Sequence, residues 1–171
     1  LFCFVLYIAV GVITMSYLFL GSLNDLSSIV QFDDNVTHIS LVKSMLNGGS
    51  LSLISNSIYS DGPIDTAPYG LAFYPNGWHI LVALSTRISA ATIPVAENAA
   101  NFILGGVVFP LGVFYFLKKA FNNCKQAIPY GAFACFCCYA FPLRMLMVHG
   151  AFPNYAAFCL LPTACGIFIR L

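Results

Sequence analysis

The chain has 171 residues, 60% of them hydrophobic and only 8% charged, with a mean hydropathy of +0.86. A soluble globular domain carries about a quarter charged residues, so water is not the main solvent of this chain. Seven basic residues against six acidic ones leave a net charge of +1, with no basic stripe, which argues against nucleic acid as a partner.

Residues 1–20 hold no charge, and twenty residues at a helical rise reach about 30 Å, the thickness of the hydrocarbon core. They predict a first span. The run is too long for the core of a signal peptide and lacks a basic start and a small-residue cleavage site. Residues 21–76 form a polar first loop. Within it Val36, Ile39, Val42 and Leu46 recur at helical spacing and Gly48-Gly49 is a stop signal, which predicts a short amphipathic helix over 35–47 lying on the membrane surface. Ser, Asn, Asp, Gly and Pro make 50–69 irregular chain. Tyr74-Pro75-Asn76-Gly77 then opens a helix over 77–92, re-entrant or spanning, which Thr86 and Arg87 interrupt. Further spans follow over 98–117, closed by Lys118-Lys119, over 127–148, with Pro142 and Arg144 toward its end, and over 154–171. The expected fold is an all-α, polytopic transmembrane helix bundle, a single transmembrane domain over 1–171. Its first loop is polar, extracytoplasmic and contains the short amphipathic helix. Because it opens at Leu1 inside an apolar run and stops at Leu171 in helical composition, the chain reads as the N-terminal segment of a longer protein, the remainder of which is then a partner.

Charge placement says more than net charge. Residues 21–76 carry Asp25, Asp33, Asp34, Asp61 and Asp65 against Lys43 alone, whereas the rest of the chain has six basic residues and only Glu97. Basic residues stay on the cytoplasmic side during insertion, so the acidic loop is expected outside. If 77–92 crosses, Lys118, Lys119 and Lys125 fall outside. If it dips in and returns, those lysines are cytoplasmic and the two echoing motifs, Tyr74-Pro75-Asn76 and Phe152-Pro153-Asn154, share the outer side with the acidic loop. The charge rule favours the second arrangement. Each motif suits a helix start, since proline has no amide hydrogen to leave unpaired there. Six of the seven cysteines lie in apolar stretches and read as packing residues, while Cys124, beside Lys125, is expected to meet water. Cys135-x-Cys137-Cys138 lacks a partner His for a metal.

Three groups carry the candidate chemistry. Asp33, Asp34 and His38 stand where the chain passes from the first span into the loop helix, with Asp34 and His38 four apart on one face. Two adjacent carboxylates serve as a general base or hold a divalent cation, or they cap the helix and complement its dipole. Asn35-Val36-Thr37 also fits the glycan-acceptor pattern. In the second group, Asn76, Trp78, His79 and Arg87 accompany Tyr74; His79 and Arg87 share a face, and a helix start with an arginine below it suits a phosphate. The alternative is an interfacial helix with Trp78 at the headgroups and Arg87 snorkelling. The third group is His149 and Asn154, with Arg144 near the same helix end. Glu97 and Asn98 read as a helix start rather than a site. There is no His-Glu-x-x-His zinc signature, no Gly-x-Ser-x-Gly elbow and no phosphate-binding glycine loop.

A first span, a loop opening with Asp33-Asp34 and His38, and Tyr74-Pro75-Asn76-Gly77-Trp78-His79 leading back into the membrane together resemble the multi-spanning GT-C type glycosyltransferases and related bacterial membrane proteins. The resemblance implies an enzyme of the cell envelope, in the cytoplasmic membrane of a bacterium, that takes a sugar from a polyprenyl-phosphate carrier. Its partners are then membrane lipid and the polyprenyl-phosphate sugar. It implies that Asp33 or Asp34 is the catalytic base or a neighbour of a divalent cation. The substrate-binding candidates are His38, Asn76, Trp78, His79, Arg87, His149 and Asn154; roles for His38, His79 and Arg87 go beyond the resemblance and rest on their chemistry. The rival class is a transporter or lipid-handling protein that binds and releases a polar head without covalent chemistry, and a scaffold subunit is a third.

Overall fold

A computed structural model describes residues 1–52, 75–121, 124–138 and 140–169, and every regular element among them is helical. In chain order these are α1 (Phe2–Ser22), α2 (Asp33–Leu46), α3 (Gly77–Ser89), α4 (Ile93–Ala120), α5 (Ile128–Ala134), α6 (Met145–Met147) and α7 (Phe152–Phe168). Two of them, α1 with 21 residues and α4 with 28, are long and apolar enough to cross a membrane. Most of the stretch expected to be irregular, 53–69, and Tyr74 lie outside the described residues.

Close backbone approach holds α1 to α4. A Cβ on Gly11 would meet the Gly106 backbone carbonyl, and Gly105 and Gly106 face Met15. Small residues let two helices approach where lipid supplies no hydrophobic drive between them. Phe4 and Tyr7 meet Phe114 further along, so the two helices run antiparallel. At the far end the Tyr7 hydroxyl donates to the carbonyl of Ile128, 2.6 Å away, which sets α5 beside the start of α1. The chain then climbs back, and Met147 comes beside Phe19 and Ser22. Finally α7 descends along α4, with Gly112 against Thr163 and Gly166 against Tyr115 and Phe116. One end of the bundle therefore holds Leu1, Lys118 and Lys119. The opposite end, the head, holds α2 and α3.

Several boundaries differ from the sequence expectation, each for a local reason. The helix expected over 98–117 starts at Ile93, with Pro94 in its first turn, so Glu97 and Asn98 lie inside it and are buried. The span expected over 127–148 is broken: α5 ends at Ala134, and Phe141 is extended at φ −140°, ψ 142° because the proline that follows it disfavours helix. α3 ends one turn early, at Ala90 in the left-handed region with φ 54°. It pairs antiparallel with the first turns of α4: Trp78 lies beside Asn101, and only three residues join Ser89 to Ile93. The amide of Asn98 reaches the carbonyls of Leu26 and Ser28, just past the end of α1. The tip of the α3–α4 hairpin thus points away from Lys118, and α3 begins and ends in the head half.

The glycine contacts predict a contrast. Gly11→Ala, which drives a methyl group into the Gly106 backbone, should lower the unfolding free energy of the purified protein by about 1–3 kcal/mol. Gly77→Ala, where a Cβ meets nothing within 4 Å, should change it by less than about 0.5 kcal/mol. Thermal unfolding in detergent, with both variants beside wild type, measures the difference.

Candidate functional site

α2 begins at Asp33 after Phe32, whose extended backbone is the N-cap and whose side chain has nothing with which to cap. Asp34 is exposed in the first turn, where a carboxylate complements the helix dipole; the side chain of Asp33 lies outside the described residues. The face that packs against the bundle is Asn35, His38, Leu41, Val42 and Met45, with helical periodicity. The expected face, 36/39/42/46, is rotated from this one, and Val36 is 67% exposed. Hydropathy favours valine over asparagine and histidine, yet the two polar residues are the ones buried. Since this face meets α3 and α4, protein rather than a lipid surface covers it. Asn35 is 1% exposed and its amide nitrogen donates to the carbonyl of Val30 at 3.0 Å, so in this fold it is no glycan acceptor.

His38 reaches across to α3. Its Nδ1 lies 3.0 Å from Nε2 of His79, and both rings are buried. One nitrogen of the pair must donate, so the pair holds a proton between two helices. Around it the aromatic rings close a wall: Trp78 stacks on Phe152 at 5.0 Å between centroids, and His38 meets Phe152 at 5.5 Å and Trp78 at 5.6 Å. The indole nitrogen of Trp78 donates to Oδ1 of Asn101 at 2.9 Å, and the hydroxyl of Tyr155 donates to the Asn101 carbonyl at 2.9 Å. Burial holds the pKa of His38 below the ordinary histidine value of 6.5, while the Asp34 charge and the Gly150 backbone pull it upward.

The head therefore brings together His38, Trp78 and His79, with Asp34 on the turn of α2 before them. Asn76 joins from the start of α3, fully buried, its amide donating to the carbonyl of Ser52 at 3.1 Å. The two proline motifs meet here as well, through Trp78 and Phe152. Trp78 is buried, which removes it as a headgroup anchor. Arg87 is exposed near the hairpin tip, two turns from His79, and does not enter the cluster. His149 is exposed; it accepts a hydrogen bond from Nε of Arg144 at 3.3 Å and faces the edge of Phe32. Asn154 is exposed on the first turns of α7. Between the 22–31 loop and Met147–Val148 opens a cleft of about 410 Å³ lined by Ser22, Asn24, Ser28 and Gln31 among others. No three His, Cys, Asp or Glu side chains converge as a metal site among the described residues. The thiols of Cys135 and Cys137 donate to the carbonyls of Gly131 and Phe133; Cys135 and Cys159 are buried as packing residues, whereas Cys137 and Cys138 are exposed, as is Cys124.

Sequence reasoning missed Glu97, Asn98 and Asn101. Their signal was polarity at one-turn spacing inside an apolar helix, which is expensive unless the group faces protein or a ligand. A family profile matches residues 1–171. The chain belongs to DUF6541, a family of unknown function. No curated protein and no solved structure matches it. For this DUF6541 chain the head cluster is the one described place where titratable, amide and aromatic groups converge beside apolar helices.

The histidine pair predicts a pH dependence. A folded pKa held below the unfolded one gives stability that is fully present above pH 6.5 and declines as pH falls toward the folded value. Trp78 is the only tryptophan in these 171 residues, so its fluorescence reports on the contact. Emission should change, and thermal stability fall, between pH 7.5 and 5 in wild type; replacing both His38 and His79 by Gln should lose most of that dependence, since burial acts on both rings.

Proposed function

We propose that this protein is a membrane glycosyltransferase that moves a sugar from a polyprenyl-phosphate donor to an acceptor outside the cytoplasmic membrane. Its setting is a polytopic helix bundle whose acidic first loop faces outward. The observation that carries the reading is the position of Asp34: exposed at the start of α2, one turn before a buried His38–His79 pair, at the end of the bundle opposite Lys118 and Lys119. A water-accessible carboxylate next to apolar helices is what transfer from a lipid-linked donor needs, since the acceptor arrives from water and the donor from the bilayer. The shared end of both proline motifs supports the arrangement in which they lie with the acidic loop.

In this reading a carboxylate of the Asp33–Asp34 pair takes the proton of the acceptor hydroxyl as its oxygen attacks the anomeric carbon, and the lipid phosphate leaves with the electron pair of the broken bond. Of the pair, Asp34 is the one whose side chain is described, and it is exposed one turn before His38. The exposed Arg87 lies too far from His79 to share a leaving-group site with it in this conformation, so His79 and the Trp78–Phe152 wall are the proposed donor contacts. A divalent cation belongs to this reading as well, with Asp33 or Asp34 as its neighbour.

Transfer of labelled sugar from a polyprenyl-phosphate donor, in membranes carrying the full-length protein, tests the reading. Asp34→Asn, and Asp33→Asn if that residue is the base, should lower transfer by about a hundredfold or more at matched expression. If no donor supports transfer while labelled polyprenyl phosphate binds equally to wild type and both variants, a lipid-handling role without covalent chemistry replaces this one.

A further inference from the structure

The loop that follows α1 has no regular structure, yet hydrogen bonds fix its backbone. The N–H of Ser27 donates to Oδ1 of Asp25 at 2.7 Å, that of Ser28 to the Asp25 carbonyl at 2.9 Å, and that of Asp25 to Oγ of Ser28 at 3.0 Å. From α4 the Asn98 amide holds the carbonyls of Leu26 and Ser28 at 2.9 and 2.8 Å, and from α2 Asn35 holds that of Val30 at 3.0 Å. A loop pinned to itself and to two helices presents its side chains in one arrangement before any ligand arrives, which lowers the ordering cost of binding.

Those side chains form one wall of the cleft of about 410 Å³ that the loop shares with the end of α6. Ser22, Asn24, Ser28 and Gln31 contribute hydroxyl and amide groups, Phe19 and Met147 contribute apolar surface, and no charged side chain lines the cleft among the described residues. An anion finds no cation in this lining, and a metal ion finds no carboxylate. Amides and hydroxyls both donate and accept hydrogen bonds, which is what the hydroxyl groups of a sugar require. The Ser22 hydroxyl gives its hydrogen to the Phe19 carbonyl at 2.7 Å and keeps its lone pairs, whereas the Ser28 hydroxyl accepts from Asp25 and keeps its hydrogen to donate. Asn24 and Gln31 are exposed. The C–H faces of a pyranose match the apolar part of the lining, and the volume lies within the range of small-molecule sites. Gln31 stands three residues before Asp34, so their Cα atoms are at most about 11 Å apart.

We propose that this cleft binds a neutral saccharide, held by Asn24 and Gln31 against the apolar surface of Phe19 and Met147. Its role rests on the transferase reading, in which this saccharide is the acceptor: it occupies the loop side of Asp34, apart from the donor contacts of His79 and the Trp78–Phe152 wall. The binding itself does not depend on that reading.

The full-length protein in detergent, without donor, is titrated with neutral trisaccharides of glucose, galactose, mannose and N-acetylglucosamine, and binding is followed by saturation-transfer NMR. Saturable binding of at least one of them to wild type is expected. Asn24→Ala combined with Gln31→Ala, at two exposed positions, should raise the Kd about tenfold or more. The proposal fails if none of the four binds wild type saturably, a result that does not depend on whether the variant folds. It also fails if the double variant binds as wild type does. With the bound saccharide as acceptor in the transfer assay, the double variant should raise the KM for acceptor and leave that for donor unchanged. A wild type that binds the saccharide and transfers nothing removes the transferase reading and leaves the cleft as a saccharide site. Transfer with an acceptor KM that the double variant does not move removes the acceptor role and leaves the transferase reading.

Discussion

Asn101 accepts a hydrogen bond at its side chain from Trp78 of α3 and another at its backbone carbonyl from Tyr155 of α7. Two helices that enter the head from different parts of the chain are thereby fixed on a third. The carbonyl is reachable because residue 105, one turn along, is glycine: a Cβ there would collide with the Tyr155 hydroxyl. Once Trp78 and α7 are placed, Phe152 stacks on the indole, and the ring of His38 has a wall to pack against. The histidine pair is therefore a consequence of an amide and a glycine on α4, neither of which takes part in it.

The same end of α4 explains how residues 26–30 can lie on an apolar bundle. Asn98 takes two part-buried loop carbonyls, and Asn35 takes a third. In each case an amide replaces the water that the loop backbone loses, which lets 26–30 lie close on α4. Glu97, beside Asn35, adds a buried carboxyl group to this pattern of amides. Removing a donor here leaves buried acceptors uncompensated, which costs more than the bond itself contributes.

The head keeps two environments within one helical turn of each other. Asp34 remains in contact with water, while His38, four residues on, is enclosed. A helix can do this because residues one apart differ by about 100° in direction while residues four apart nearly align, so a modest tilt buries the deeper member of the pair. The proline motifs contribute by starting α3 and α7 at one depth, so that the residues around each start meet.

Much of the fold was legible in the residues themselves. The uncharged run before Gly21, the lysines after Leu117 and the Gly48-Gly49 stop each specify a local state through hydropathy, charge or backbone freedom, and each helix they mark is present. The break before Pro142 was legible too, since the residue before a proline resists helix, but apolar composition across 127–148 masked it. What tertiary structure alone decided was direction and partnership. Periodicity states that α2 has a face; it does not state that asparagine and histidine lie on the buried side, because that depends on acceptors and rings supplied from α3, α4, α7 and the loop. Glu97 and Asn98 look like a helix start by polarity, and only the loop folded over them makes them interior. Arg87 and His79 share a sequence spacing, yet the hairpin turn at Ala90 sends one to solvent and leaves the other enclosed. Local chemistry is carried by each residue, whereas burial and pairing belong to the neighbours that the chain brings from far away.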